Sequence, residues 1–161
     1  MASSEKHMAC RLRPFRIDDL RDLVRLDRRC FSPAIAYDRF EMFYHLTAPG
    51  HSAILAVPLE GRPPALLGFV ILAAGPAGRK GQIVTLDVNP DHRRCGIGRL
   101  LLRTAERHLA ESGNREVRLQ VAVDNTTARE FYEGLGYEPA ERLPEYYPDG
   151  TDALELVKQI G

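Results

Sequence analysis

The stretch from Ile83 to Leu109 constrains this chain more than any other. An apolar strand pattern, Ile83 to Val88, stops at Asn89 and Pro90, and an amphipathic helix with Leu100, Leu101, Ala105 and Leu109 begins shortly afterwards. Between them stand Arg93, Arg94, Cys95, Gly96, Ile97, Gly98 and Arg99. Glycines let the backbone approach a ligand closely, and the start of a helix offers unpaired N–H groups and the positive dipole end to an anion. With arginines beside it, the loop reads as a diphosphate site. Solvated arginines at an ordinary helix start account for the loop in isolation, but the strand before it and the helix after it favour an anion site. A dinucleotide-binding loop is the rival reading of G-x-G. It fails because Leu101 stands where the third glycine belongs and the preceding strand follows a hairpin instead of opening a βαβ unit.

The flanking elements follow from periodicity. Alternation over Ala9 to Phe15 predicts a first strand, and Asp18 is placed to cap a helix carrying Leu20, Leu23, Leu26 and Cys30. After a break at Ser32 and Pro33, the spacing of Phe40, Phe43 and Tyr44 predicts a short second helix, ended by Pro49 and Gly50. Ala53 to Val57 and Ala65 to Ala74 read as strands joined by a hairpin turn at Glu60, Gly61, Arg62 and Pro63, with a third strand at Gln82 to Val88. Strand alternation places Asp87 on the face opposite Gln82. Beyond Gly113, Val117 to Val123 alternate so that Gln120 faces away from the valines. Asn125 opens a helix that runs to about Leu135, and Tyr137 to Arg142 and Ala153 to Lys158 flank a turn at Asp149 and Gly150. The order βααβββαβαββ predicts an α/β fold with a mixed, mostly antiparallel sheet and helices on both faces.

A length of 161 residues fits one domain, expected over residues 9–161 behind a disordered leader at 1–8. Lys plus Arg and Asp plus Glu both number 22, and a net charge of zero argues against nucleic acid or an anionic membrane as partner. Ala65 to Ala74 is too short to span a bilayer and the N-terminus lacks the apolar region of a signal peptide, so the chain reads as cytoplasmic. Cys10, Cys30 and Cys95 lack the spacing of a zinc site or a disulfide framework and read as free thiols, with no metal expected.

In combination these motifs resemble the GNAT superfamily of N-acetyltransferases. The resemblance runs from about Arg11 to Ile160 and rests on Ile83 to Val88, Arg93 to Gly98, then Asn125, Ala128 and Tyr132 in N-x-x-A-x-x-x-Y, then Gly136 and Tyr137. Within it, the tail with Tyr146, Tyr147, Pro148, Asp149, Gly150, Asp152 and Ala153 is similar to RimI and Ard1-like enzymes, which acetylate protein N-termini. The resemblance implies acetyl-CoA as co-substrate, with backbone groups of Leu86, Asp87 and Val88 pairing with the pantetheine arm and Arg93 to Arg99 holding the diphosphate. It also implies that Asn125 and Ala128 lie beside the cofactor and that Phe31, Pro33, Tyr37, Tyr146 and Tyr147 line the slot for an N-terminal peptide. As packing aromatics, the tyrosines would carry no such role.

Acyl transfer to an amine needs a neutral amine, a polarised thioester carbonyl and a proton for the leaving thiolate. By its place in the motif Tyr132 is the expected general acid, and the Val88 N–H the expected polarising group. The relatives hold a base or its water from two strand positions that fall at Gln82 and Gln120, where Glu, Tyr or His is usual. Glutamine accepts no proton at physiological pH, although its carbonyl can hold an amine or a water. Three readings follow: N-terminal acetyl transfer, acetyl transfer to a small-molecule amine, and a noncatalytic acyl-CoA-binding module. The expected assembly is a monomer or homodimer.

Overall fold

The computed structural model describes residues 9–61, 64–77 and 79–161; the expected leader, and Arg62 and Pro63 of the expected hairpin turn, lie outside them. In chain order the elements are β1 (Cys10–Pro14), α1 (Leu20–Cys30), α2 (Arg39–Thr47), β2 (His51–Pro58), β3 (Gly68–Ala73), β4 (Lys80–Val88), α3 (Ile97–Glu111), β5 (Glu116–Ala122), α4 (Thr126–Gly134), β6 (Glu138–Leu143) and β7 (Ala153–Gln159). The strands form one sheet in the order β1-β2-β3-β4-β5-β7-β6, with β4 and β5 parallel and every other neighbour antiparallel. The order of elements is the one the periodicity predicts.

Alternation along β2 and β3 feeds two cores. Leu55, Val57, Phe69 and Ile71 pack with Leu23, Leu26, Met42 and Leu46 under α1 and α2. Ile54, Ala56, Val70 and Leu72 point the other way, onto Leu101, Leu102, Ala105 and Leu109 of α3. A strand buried on both faces reads as a continuous apolar run, and β3 is such a run.

The helix ends follow local chemistry with one exception. Asp38 Oδ1 accepts from Glu41 N at 2.8 Å and Glu41 Oε2 from Asp38 N at 2.8 Å, which closes a reciprocal cap on α2. Gly113, at φ +87°, ends α3 in the left-handed region. The cap expected from Asp18 does not form. A 3-10 turn over Ile17–Asp19 precedes α1, and the Asp19 carboxylate is held by Arg13 at 2.7 Å and by the Arg16 N–H at 2.8 Å.

Two irregularities in β4 shape what lies above it. Ile71 faces Thr85 while Leu72 faces Ile83, so Val84 is the extra residue of a β-bulge and side-chain alternation shifts by one there. Ile83 and Leu86 pack on the α3 side and Val84 on the α1–α2 side. Gln82 and Asp87 therefore share the α1–α2 face, contrary to the simple alternation. In addition, β4 and β5 pair only at Lys80↔Glu116, Gly81↔Val117 and Gln82↔Arg118. Beyond Gln82 the two strands diverge.

Candidate active site

The divergence leaves one edge of β4 free. Leu86, Asp87 and Val88 pair with β3 through Val70, Phe69 and Gly68, while on the other side pairing with β5 has ended at Gln82. Backbone groups along this edge face the split, where an extended ligand can add to the sheet as a further strand.

The arginine loop stands at the end of the same strand. Arg93 is extended, Arg94 has φ +60° and Gly96 has φ +80° as the N-cap of α3, with no side chain capping the helix. Because the first intrahelical bond runs from Leu100 N to Gly96 O at 3.0 Å, the N–H groups of Ile97, Gly98 and Arg99 have no partner within the helix. The Cys95 thiol turns inward to Arg93 O at 3.5 Å, and Arg93, Arg94 and Arg99 are exposed around the helix start. A Cβ on Gly98 would lie 3.3 Å from Val88 Cγ2 and 3.4 Å from Phe131 Cζ, so glycine lets α3 close against β4 and α4. Unpaired N–H groups, left-handed turns and arginines fit a diphosphate.

From α4 comes Tyr132, 8% exposed, its ring against Phe131 and Tyr137 at centroid distances of 5.2 and 5.6 Å. No described residue hydrogen-bonds its hydroxyl. Burial, followed by the nearby Asp87 and Tyr147, raises its pKa, so the phenol keeps its proton. Asn125 caps α4 by accepting from Ala128 N at 3.2 Å, and Ala128 packs against the α3-side core.

Gln82 and Gln120 meet across the split: Gln82 Nε2 donates to Gln120 Oε1 at 3.0 Å. Gln120 Nε2 donates in turn to Glu155 Oε1 at 3.3 Å, and Arg118 donates to Glu155 Oε2 at 3.4 Å. Glu155, a carboxylate on the last strand and 9% exposed, was not among the candidates read from the sequence. Its signal was weak, because only the pairing of β5 with β7 puts Glu155 opposite Gln120.

Between the split and α1 lies a buried carboxyl pair, Asp27 and Asp87, each 1% exposed. Asp27 Oδ2 accepts from Tyr37 N at 2.7 Å and Asp87 Oδ1 from Thr85 Oγ1 at 2.7 Å. The remaining oxygens, Asp27 Oδ1 and Asp87 Oδ2, are buried without a hydrogen-bond partner, and burial raises the pKa of Asp27. Burial, then the charge of Asp27, pushes Asp87 well above the usual carboxylate range, which favours its protonated form. Cys30 donates to Val88 O at 3.4 Å, and burial pushes its thiol up to about 12.

The slot candidates gather unevenly. Burial raises the Tyr37 phenol, followed by Asp27 and Tyr146, while Tyr146 and Tyr147 sit edge to face at 5.0 Å. Tyr147 is pushed up to about 12 by burial and then by Tyr146. Tyr37 comes from the α1–α2 loop, and Tyr146 and Tyr147 from the β6–β7 loop. Phe31 is half-buried at the end of α1, whereas Pro33 is exposed. A groove lined by Leu20, Val24, Phe40, Phe43, Arg21 and Arg25 runs along α1 and α2 and contains none of the loop or split residues.

Comparison with known proteins agrees with this geometry. The model of the acetyltransferase (GNAT) family matches residues 17–137. An N-alpha-acetyltransferase of Sulfurisphaera tokodaii is 29% identical over 99% of this chain and 98% of its own length. An uncharacterized N-acetyltransferase of Methanocaldococcus jannaschii is 40% identical over 49% of this chain, and the match spans only about half of that relative, 51%. Among solved structures, Ard1 of Thermoplasma volcanium superposes with a TM-score of 0.84 at 22% identity, covering 96% of this chain and 99% of its own. The NatC complex bound to Gag peptide and CoA gives 0.82 at 24% identity, covering 96% and 100%. These likenesses show the fold, and with the family match and the split sheet they lead to one statement: the chain belongs to the acetyltransferase (GNAT) family.

Proposed function

We propose that this chain transfers the acetyl group of acetyl-CoA to the α-amino group of a protein or peptide N-terminus. The observation that carries the reading is the split between β4 and β5, with an uncapped helix start at its mouth and polar and phenolic groups along its walls. Acetyl-CoA supplies the activated acyl group. Arg93, Arg94, Cys95, Gly96, Ile97, Gly98 and Arg99 hold its diphosphate, and the free edge of Leu86, Asp87 and Val88 takes the pantetheine arm. Asn125 and Ala128 flank that arm. The Val88 N–H polarises the acyl carbonyl, and Tyr132 hands a proton to the departing sulfur, a task its raised pKa suits by keeping the donor protonated. Gln82 and Gln120 receive the amine, and Phe31, Pro33, Tyr37, Tyr146 and Tyr147 line its approach.

The choice of amine rests on proton energetics. An α-amino group, with a pKa of about 7.7–8.0, is partly neutral near pH 7, whereas neutralising lysine from about 10.4 costs roughly 4 kcal/mol. A site whose two nearest polar groups are amides suits the first substrate. The full-length relative named N-alpha-acetyltransferase supports the same choice, as does the NatC structure with peptide and CoA. The proposal includes a cytoplasmic setting, a single domain over residues 9–161 and a monomer or homodimer. Among the described residues no helix is long and apolar enough to cross a membrane.

The test is thiol release from acetyl-CoA across peptides with different first residues, beside N-terminally blocked peptides that contain lysine and a set of small amines. Turnover confined to free N-termini supports the proposal. Turnover on small amines alone moves the substrate, and tight acetyl-CoA binding without turnover on any amine favours the binding-module reading that the two glutamines suggest.

A further inference from the structure

We propose that Glu155 orients the acceptor side of the site, by fixing the amides of Gln120 and Gln82 so that the Gln82 carbonyl oxygen is left as the open acceptor for the incoming amine. This role rests on the N-acetyltransferase reading. Glu155 does not touch the substrate; it is a positioning residue that acts through two others.

The inference follows from the order of donors and acceptors. An ionised carboxylate only accepts hydrogen bonds, whereas a glutamine amide has one accepting end and one donating end. Glu155 Oε1 therefore calls for the NH2 end of Gln120, and finds it at 3.3 Å. With that end committed, Gln120 can offer Gln82 only its oxygen, and Gln82 answers with Nε2 at 3.0 Å. The Gln82 oxygen remains, and no described residue donates to it. Because each amide has two unlike ends, orientation passes along the chain from Glu155 to Gln82. Without the carboxylate both amides can turn over together, and Gln82 would then present an NH2 group, which offers the amine no acceptor.

The carboxylate is itself fixed in place. Glu155 lies opposite Gln120 in the β5–β7 register, and Arg118 of β5 holds its other oxygen at 3.4 Å. Arg118 is braced by Glu116 at 3.7 Å, and Glu116 by Lys80 at 3.6 Å. Glu141 of β6 is the register partner on the far side, and Tyr146 lies near enough for Glu155 to raise its pKa, after the larger effect of burial. Glu155 thus joins a charged row on β4, β5 and β7 to the pair of amides at the split.

The variant Glu155→Gln keeps the shape and removes the acceptor-only end. We expect kcat/KM for an acceptor peptide to fall about tenfold or more, as for loss of a hydrogen bond to a charged group, with acetyl-CoA affinity unchanged. Adding Gln120→Glu to that variant sets a carboxylate directly against Gln82 Nε2, and should restore turnover. The side-chain NH2 resonances of Gln82 and Gln120 in 15N-labelled protein should shift together in Glu155→Gln and return in the double variant. Wild-type kcat and KM in Glu155→Gln overturns the proposal. So does a loss that Gln120→Glu leaves uncorrected, or a Gln82 resonance that does not move. A wild-type protein inactive on every amine removes the transferase reading, and the acceptor role with it; that result is separate, because it is read before any variant is made.

Discussion

Replacing Gly96 by valine separates what the loop does for the fold from what it does for the ligand. Gly96 lies at φ +80°, where a side chain costs about 1–2 kcal/mol and a β-branched one up to about 3. Gly113, at φ +87° beyond the other end of the same helix, supplies the control, because Gly113→Val bears a similar backbone penalty far from the loop. Both variants should therefore lose Tm to a similar degree, about 2–4 °C for each kcal/mol in a domain of this size. Only Gly96→Val should lose ligand. A side chain at the mouth of the uncapped helix removes at least one hydrogen bond to a charged phosphate, about 1.5–3 kcal/mol, which corresponds to a 10- to 150-fold rise in Kd for acetyl-CoA. Calorimetric titration of the wild type and both variants measures this directly. Equal affinity in all three folded proteins would falsify the assignment of the loop as the diphosphate site.

Three further outcomes can be checked with the same protein. Tyr132→Phe should lower kcat by about 10²–10⁴-fold without changing Tm, because the hydroxyl has no hydrogen-bond partner among the described residues; a kcat within twofold of the wild type removes Tyr132 as the proton donor. Iodoacetamide at pH 8 should label Cys95 before Cys30, whose thiol at about 12 is ionised in about one molecule in 10⁴, and acetyl-CoA should protect Cys95; labelling that acetyl-CoA does not slow counts against the loop geometry. Because the folded-state pKa of Asp87 is raised, its contribution to stability is complete below the unfolded value of about 3.9 and is lost as pH rises through the folded value. Asn in its place stays neutral without titrating, so the Tm advantage of Asp87→Asn should grow with pH in melts from pH 4 to 9, and parallel curves would show that the Asp87 pKa is not raised by folding.

What could be read in the sequence was local. The stripe of Leu101, Ala105 and Leu109, the G-x-G at the start of α3 and the Asn125 cap each depend on neighbours within a few residues, and each forms as its spacing predicts. Sequence and structure part where a distant partner decides the outcome. Asp19 displaces Asp18 from the start of the helix because Arg13, on β1, captures its carboxylate. Asp87 joins Gln82 on one face because β4 holds one more residue than β3 across from it, and no letter near Val84 marks the bulge. Glu155 leaves no local mark for the same reason, since its place beside Gln120 exists only once β7 has inserted between β5 and β6. The pairing of Asp27 with Asp87 joins a helix to a strand that follows it by two further strands, beyond any periodic pattern.

The short junction between β4 and β5 also bears on how the molecule opens. Three residue pairs join the four strands on one side of the sheet to the three on the other, and beyond them the gap is spanned by side chains, among them the Gln82–Gln120 bond and the α3-side core. Cooperative units in a native protein tend to separate where few hydrogen bonds cross, so β1–β4 and β5–β7 should behave as two units in native-state amide exchange, with their boundary along this line. A ligand arm lying on the free edge of β4 would then bridge two units that the backbone itself leaves loosely joined. Its effect would be to tie them into one cooperative body, with protection rising on both sides of the split together.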